Sequence, residues 1–318
     1  MHRDVGQPSF AEALVRGGGN ARLNRIEGLI DWPAVGAVLE GIYGSATGRP
    51  SYPPLVLLKV LLLQGWYGLS DPGMEEALAD RLSFRRFVGL GLEDAVPDHS
   101  TISRFRTLLT QRGLADRVFA EVNRQIEAKG IVIKSGTIID ATAIDAAAAE
   151  PPKQKGGGSS TVDPDARWVK NQTTGRARFG YKLHAAIDHG TGIIRQARIT
   201  PANVPEVEVG HELVTGDEQA VYADKAYVGP RMRERLRLAG IKDRVQRRAA
   251  RCRPLRPIET RRNILIGRIR GRIEGVFGAL KRSYGLARMR YMSLARNITG
   301  TMLTLIAWNL ARVADQHE

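Results

Sequence analysis

The sequence predicts an α+β, two-part chain: an all-α N-terminal domain over residues 1–130, then a mixed α/β domain over 131–318. Three observations predict it. Segments up to Gly130 carry helix caps and apolar runs of helical length. At Ile131 the composition switches to β-branched runs. From there the segments read as three strands, a helix, a strand, a helix, a strand and two helices. A β-hairpin followed by alternating units argues a mixed sheet with helices on both faces. At 318 residues and 43% hydrophobic content, the chain is long enough for one large or two ordinary domains with a real core.

Residues 1–30 read as weakly ordered, with Gly17-Gly18-Gly19 as a flexible break. Asp31-Trp32-Pro33 starts a helix running to Ile42, with Asp31 as cap and Pro33 in the first turn. Residues 49–54 (RPSYPP) form a stiff connector. Residues 55–67 are apolar nearly all round, so this is the buried helix of the first domain. Ser70-Asp71-Pro72 opens the next helix, 74–81, and residues 83–88 follow before a Gly-Leu-Gly-Leu turn. In 97–106 (PDHSTISRFR), Asp98 or Ser100 caps a short helix with Ile102 and Phe105 inward and Ser103, Arg104 and Arg106 outward. That pattern fits either the recognition helix of a helix-turn-helix or an ordinary capped surface helix. A longer helix, 114–129, closes the domain.

In the second part, 131–133 and 137–140 are β-branched, strand-like runs, the latter ending in Asp140. Residues 146–176, rich in Gly, Pro and Lys, read as a mobile loop. Residues 179–187 and 193–199 are hairpin partners around the turn 188–192. A helix spans 203–214. A short buried strand, 220–224, ends in Asp224. A helix over 230–238 stops at Gly240, 242–247 is an edge strand, and 298–313 is a closing apolar helix. Between them, 264–290 reads as one long helix. Its apolar stripe is Ile266, Ile269, Ile273, Val276 and Leu280, and Arg270, Glu274 and Lys281 lie one above another on a neighbouring face.

Net charge is +15 with a pI near 10.3, which points to a polyanionic partner, most often nucleic acid. Residues 225–296 alone hold 22 Lys and Arg against Glu234, Asp243, Glu259 and Glu274. Such a block repels itself unless phosphates neutralise it. The single cysteine, Cys252, excludes an internal disulfide and argues against a cysteine-based zinc site; the six His show no tight metal-ligand spacing. No apolar signal core opens the sequence, and the run 55–63 is interrupted by Lys59 and far short of the ~20 residues of a membrane span. A cytoplasmic protein is expected.

Glu274 is the only acid between Thr260 and Arg290. It is either the partner of Arg270 or a metal ligand. Asp140 and Asp224 each end an apolar strand. If those strands are neighbours, both carboxylates emerge at one edge under the helix that carries Glu274. Three carboxylates with few competing cations suit Mg²⁺ or Mn²⁺. Two such ions can clamp the attacking and leaving oxygens of a phosphodiester.

These residues resemble the motifs of bacterial insertion-sequence transposases of the DDE type, subgroup five. Asp140-Ala141-Thr142 resembles the first-aspartate motif, and Tyr222-Ala223-Asp224-Lys225-Ala226-Tyr227 the second. Arg270-x3-Glu274-x6-Lys281 resembles a Tyr-x2-Arg-x3-Glu-x6-Lys signature, with Gly267 in the place of the tyrosine. Arg49 to Arg106 is similar to the family's N-terminal domain. The resemblance implies a ribonuclease H-like catalytic domain with Asp140, Asp224 and Glu274 as ligands of Mg²⁺ or Mn²⁺. It further implies cutting and joining of double-stranded DNA, with a homo-oligomer holding two element ends. Arg270 and Lys281 would contact phosphates. Tyr227 is a stacking surface for a displaced base or a packing aromatic, and Arg104 and Arg106 are DNA-binding candidates. Thr142, Lys182 and His184 fall near the expected site, where structural roles are the simpler reading. The rival functions are a stand-alone nuclease of the same fold and a DNA-binding protein without catalysis.

Overall fold

A computed structural model describes residues 3–6, 20–44, 50–152, 160–170, 175, 177–250 and 253–316. The expected glycine break at 17–19, Arg49 and Cys252 lie outside the described residues. The chain divides into two compact units, Met1–Lys129 with Met302–Glu318, and Gly130–Thr301. The segment from Met302 onward, expected with the second domain, therefore belongs to the first unit.

The first unit is helical. α1 (Ala21–Leu29) is capped by the Asn20 side chain, which accepts from the Leu23 amide at 3.2 Å. That corrects the expectation of weak order up to residue 30. α2 (Trp32–Val38) is capped by Asp31 as expected and ends short of Ile42. α3 (Pro54–Tyr67) is buried almost all round and stops at Gly68, whose left-handed φ of 64° favours glycine. Lys59, the charge that interrupts its apolar run, is only 5% exposed. Its ammonium donates to both Glu27 carboxylate oxygens at 2.8 Å and lies 4.5 Å above the Trp32 ring, so the charge is paired rather than stranded.

α4 (Asp71–Asp80), α5 (Leu82–Val88), α6 (His99–Gln111) and α7 (Leu114–Ala128) complete this part. α6 is a helix of 13 residues, capped by Asp98 rather than by Ser100, whose hydroxyl itself donates to Asp98. Ile102 and Phe105 are buried, as the pattern requires. No helix among the described residues is long and apolar enough to cross a membrane.

The second unit is built on a mixed six-stranded sheet. β1 (Thr137–Asp145) pairs antiparallel with β3 (Ala177–Asp188), which pairs antiparallel with β2 (Arg167–Lys170) and β4 (Ile194–Pro201). On the other side of β1, β5 (Ala220–Ala223) runs parallel to it and β6 (Lys242–Val245) parallel to β5. Setting the inserted β2 aside, three antiparallel strands continue into two parallel ones, the sheet of a ribonuclease H-like domain. Gly180 is required where β3 crosses the end of β1: a Cβ there would lie 2.2 Å from the Ile144 carbonyl oxygen.

Several expected bounds shift. Residues 131–134 form no strand; Lys134 takes a left-handed φ of 58° and its amide donates to Asp188. β2 lies inside the expected loop 146–176. The helix expected over 203–214 begins only at Glu206, because Pro205 disfavours helix before it, and it breaks into α8 (Glu206–Val209) and a 3₁₀ turn (Gly210–Leu213).

α9 (Pro230–Leu238) is as expected. The long basic helix α10 spans Pro257–Ser283 rather than 264–290, starting at a proline suited to a first turn and stopping before Gly285, whose φ is 71°. α11 (Leu294–Gln316) follows. α10 packs on β1 and β5, burying Ile266, Ile273, Val276, Phe277 and Leu280. Ile139, Ala186, Val221, Ala223, Tyr227, Met232 and Leu236 form a core on the opposite face. Helices on both faces follow from this.

Candidate active site

Asp140 and Asp224 meet because of strand register. Ile139 of β1 is aligned with Ala223 of parallel β5, so the next residue of each chain is an aspartate on the same face. Asp140 lies in the middle of β1 and not at its end, since the strand runs on to Asp145. β5 ends at Ala223, and Asp224 caps the 3₁₀ turn Lys225–Tyr227 by accepting from the Ala226 amide. Asp140 accepts from its neighbour's amide, Ala141 N, at 2.8 Å.

A cation does stand between these carboxylates. Arg270 of α10 places Nη2 2.5 Å from Asp140 Oδ2 and Nη1 3.8 Å from Asp224 Oδ2. The expectation of few competing cations is therefore corrected, and so is the pairing of Arg270 with Glu274. Burial raises the pKa of Asp140 above the ordinary carboxylate value, against the lowering effect of the Arg270 guanidinium. Glu274, one turn farther along α10, is exposed. Among the described residues no group of three or more His, Cys, Asp or Glu is arranged to hold one metal ion. The structure thus brings two of the three expected acids together and leaves the third apart.

The donor set fits a hard divalent ion. Two carboxylates already converge on a positive group, and Mg²⁺ commonly takes one or two carboxylates with water and substrate phosphate completing its shell. The guanidinium stands in for that positive charge.

Lys281 lies on the same sheet face, donating to Thr142 Oγ1 at 2.6 Å and to the Ala143 carbonyl at 3.0 Å. Burial lowers its pKa, and the nearby Arg178 adds to this. Along its length the outer face of α10 is cationic: Arg261, Arg268, Arg272 and Arg282 are exposed.

Tyr227 is 1% exposed in the core, and its hydroxyl has no hydrogen-bond partner among the described residues. In this conformation it packs in the core, out of reach of a base. Lys182 and His184 pair across from Ala143 and Ala141, which puts them on the face opposite Asp140. There Lys182 binds Glu206 at 2.8 Å, and His184 Nε2 lies 3.0 Å from Thr200 Oγ1. Both side chains are engaged in contacts away from the aspartates.

In the helical unit Arg104 is exposed, within reach of Ser100 Oγ at 3.1 Å. Arg106 is not outward. It donates to Asp71 at 2.6 and 3.0 Å and to Gln64 at 3.0 Å, because α3 and α4 present a carboxylate and an amide to that side of α6.

The role missed in the sequence is that of Arg270 as counter-ion of the aspartates. The available signal was that neither Asp140 nor Asp224 has a cation of its own strand to neutralise it.

Two family models match the chain. A Transposase domain (DUF772) model matches residues 11–108, and a Transposase DDE domain model matches residues 133–310. Among solved structures, the chain is similar to a piggyBac transposase synaptic complex with hairpin DNA seen by cryo-electron microscopy. The identity there is 9%, over 99% of this chain and 78% of that one, with a TM-score of 0.46. It is also similar to a crystallised pre-cleavage Mos1 transpososome, at 10% identity over 85% of this chain and 98% of that one, with a TM-score of 0.22. The second model covers more than half of the 318 residues, and the chain belongs to the DDE transposases of insertion sequences.

Proposed function

We propose that this transposase cuts the ends of an insertion sequence and joins them to target DNA, with Asp140, Asp224 and Glu274 as its catalytic acids. The observation that carries the reading is the pair of aspartates side by side on neighbouring parallel strands, beneath a helix whose outer face is cationic. Mg²⁺ or Mn²⁺ bound there supplies Lewis-acid charge to the attacking and leaving oxygens. Asp140 and Asp224 would hold the ion, and Glu274, exposed on the same helix as Arg270, would complete the set on DNA.

Arg270 and Lys281 bind phosphates next to the cut bond and hold the strand in line. In the first step a water oxygen bonds to phosphorus and gives its proton to solvent as the bond to the 3′ oxygen breaks, and the departing 3′ oxygen takes up a proton to become a hydroxyl. In the second, the freed 3′ hydroxyl loses its proton to solvent and bonds to a target phosphorus, and the target's own 3′ oxygen leaves and takes up a proton. No covalent protein–DNA bond is needed.

The exposed arginines of α10 and Arg104 of α6 are the DNA contacts in this reading. Subgroup five is supported by the Arg270, Glu274 and Lys281 spacing. Holding two element ends together calls for a homo-oligomer.

The test is Asp224→Asn, assayed for cleavage of the DNA ends with Mg²⁺ and checked for folding by circular dichroism. The folded variant is expected to bind DNA and not cut it. Cleavage at the wild-type rate defeats the assignment. Failure of the wild type to join a pre-cut end to target DNA leaves a nuclease in place of a transposase.

A further inference from the structure

We propose that Arg270 is an exchangeable counter-ion. Without DNA its guanidinium fills the space between Asp140 and Asp224 and holds divalent cations off; a DNA phosphate that takes the guanidinium releases both aspartates to the cation. The inference rests on the reading above, in which these aspartates are the metal ligands.

Four observations carry it. The guanidinium bridges two carboxylates from different strands, at 2.5 and 3.8 Å, so it occupies the place where a shared cation has to sit. The fit is incomplete: the longer contact is loose, and Arg270 Nε is buried without a hydrogen-bond partner among the described residues. The cluster opens to solvent on one side, the Asp224 side chain being 31% exposed against 18% for Asp140 and 14% for Arg270. Exposed Arg268, Arg272 and Arg282 add positive charge to the same helix, which draws phosphate toward it.

Finally, a guanidinium pairs with phosphate as well as with carboxylate, through the same planar fork. Exchange therefore keeps Arg270 satisfied while it changes partner. The consequence is an order of events, DNA first and cation second, which keeps the cutting centre uncharged with metal until a strand is in place. Linkage makes the effect reciprocal: whatever DNA adds to cation affinity, the cation adds to DNA affinity.

The experiment measures Mn²⁺ binding to the full chain without DNA, from the electron paramagnetic resonance signal of free Mn²⁺. Arg270→Gln is expected to bind Mn²⁺ at least about tenfold more tightly than the wild type, within the usual range of such couplings. Adding Asp140→Asn to that variant is expected to abolish the gain. With a DNA duplex, the wild type is expected to take up more Mn²⁺ than Asp140→Asn does with the same duplex, which subtracts the ions held by DNA itself.

Equal affinity of wild type and Arg270→Gln without DNA overturns the proposal. If the duplex still elicits Asp140-dependent binding in that case, the metal assignment survives and only the exchange is lost. A gain that persists in the double variant places the cation elsewhere and overturns both. Should Arg270→Gln fail to fold, Arg270→Lys, whose ammonium lacks the planar two-pronged fork, is held to the same comparison with a smaller gain expected.

Discussion

Replacing Arg106 by Ala separates the two roles that its sequence allows. The side chain joins three helices, donating to Asp71 of α4 at 2.6 and 3.0 Å and to Gln64 of α3 at 3.0 Å. Gln64 in turn donates to Asp71 at 2.8 Å. The Arg106 and Asp71 side chains are only 13% and 25% exposed. Breaking a buried pair by removing one partner costs about 3–5 kcal/mol, because the remaining charge keeps its desolvation without its counter-ion. The partial exposure of Asp71 screens some of that, leaving about 3 kcal/mol. For a unit of this size that corresponds to a fall in Tm of roughly 10 °C.

Thermal melting followed by circular dichroism checks the shift, and DNA binding measured against salt concentration checks the alternative. Arg106→Lys is expected to fall between, since an ammonium cannot reproduce the two-pronged contact. An Arg106→Ala protein with unchanged Tm, but a salt dependence of DNA binding flatter by about one phosphate contact, refutes the structural role.

Two further outcomes follow from buried polar groups in the second unit. Tyr227→Phe removes a hydroxyl that has no partner among the described residues, so the variant is expected to be more stable by about 1 kcal/mol. A lowered Tm shows instead that the hydroxyl is satisfied in solution. Burial, with help from the Lys182 charge, pushes His184 down to about 4 from an ordinary 6.5. The unfolded chain then binds a proton that the folded one refuses. Stability from this group is complete above about pH 6.5 and declines as the pH falls toward 4, by about 3 kcal/mol in all. The His184 ring resonance in a nuclear magnetic resonance titration reads this directly, and a midpoint near 6.5 contradicts it.

Much of this protein is local and so was legible in the chain itself. Helix caps are short-range: Asp31 and Asp98 each accept from an amide three residues on, and both are readable as residue types before an apolar run. The alternating pattern of β4 and the three-and-four spacing of α10 indicated which of their faces turn inward, because burial rewards the same spacing in any fold that uses the element, whereas β3 is buried on both faces. The basic excess of residues 225–296 pointed to a polyanionic partner without any fold at all.

What the tertiary structure alone decided is partnership across long separations. That Asp140 and Asp224 lie side by side depends on a register between β1 and β5, strands 84 positions apart in the chain. That Arg270 neutralises them, and that Arg106 turns to Asp71, depends on helix packing that no spacing within one helix encodes. A cation's own neighbours in sequence are i±3 and i±4, whereas its lowest-energy partner is whichever carboxylate is both near in space and shielded from water. Only the assembled fold determines which one that is.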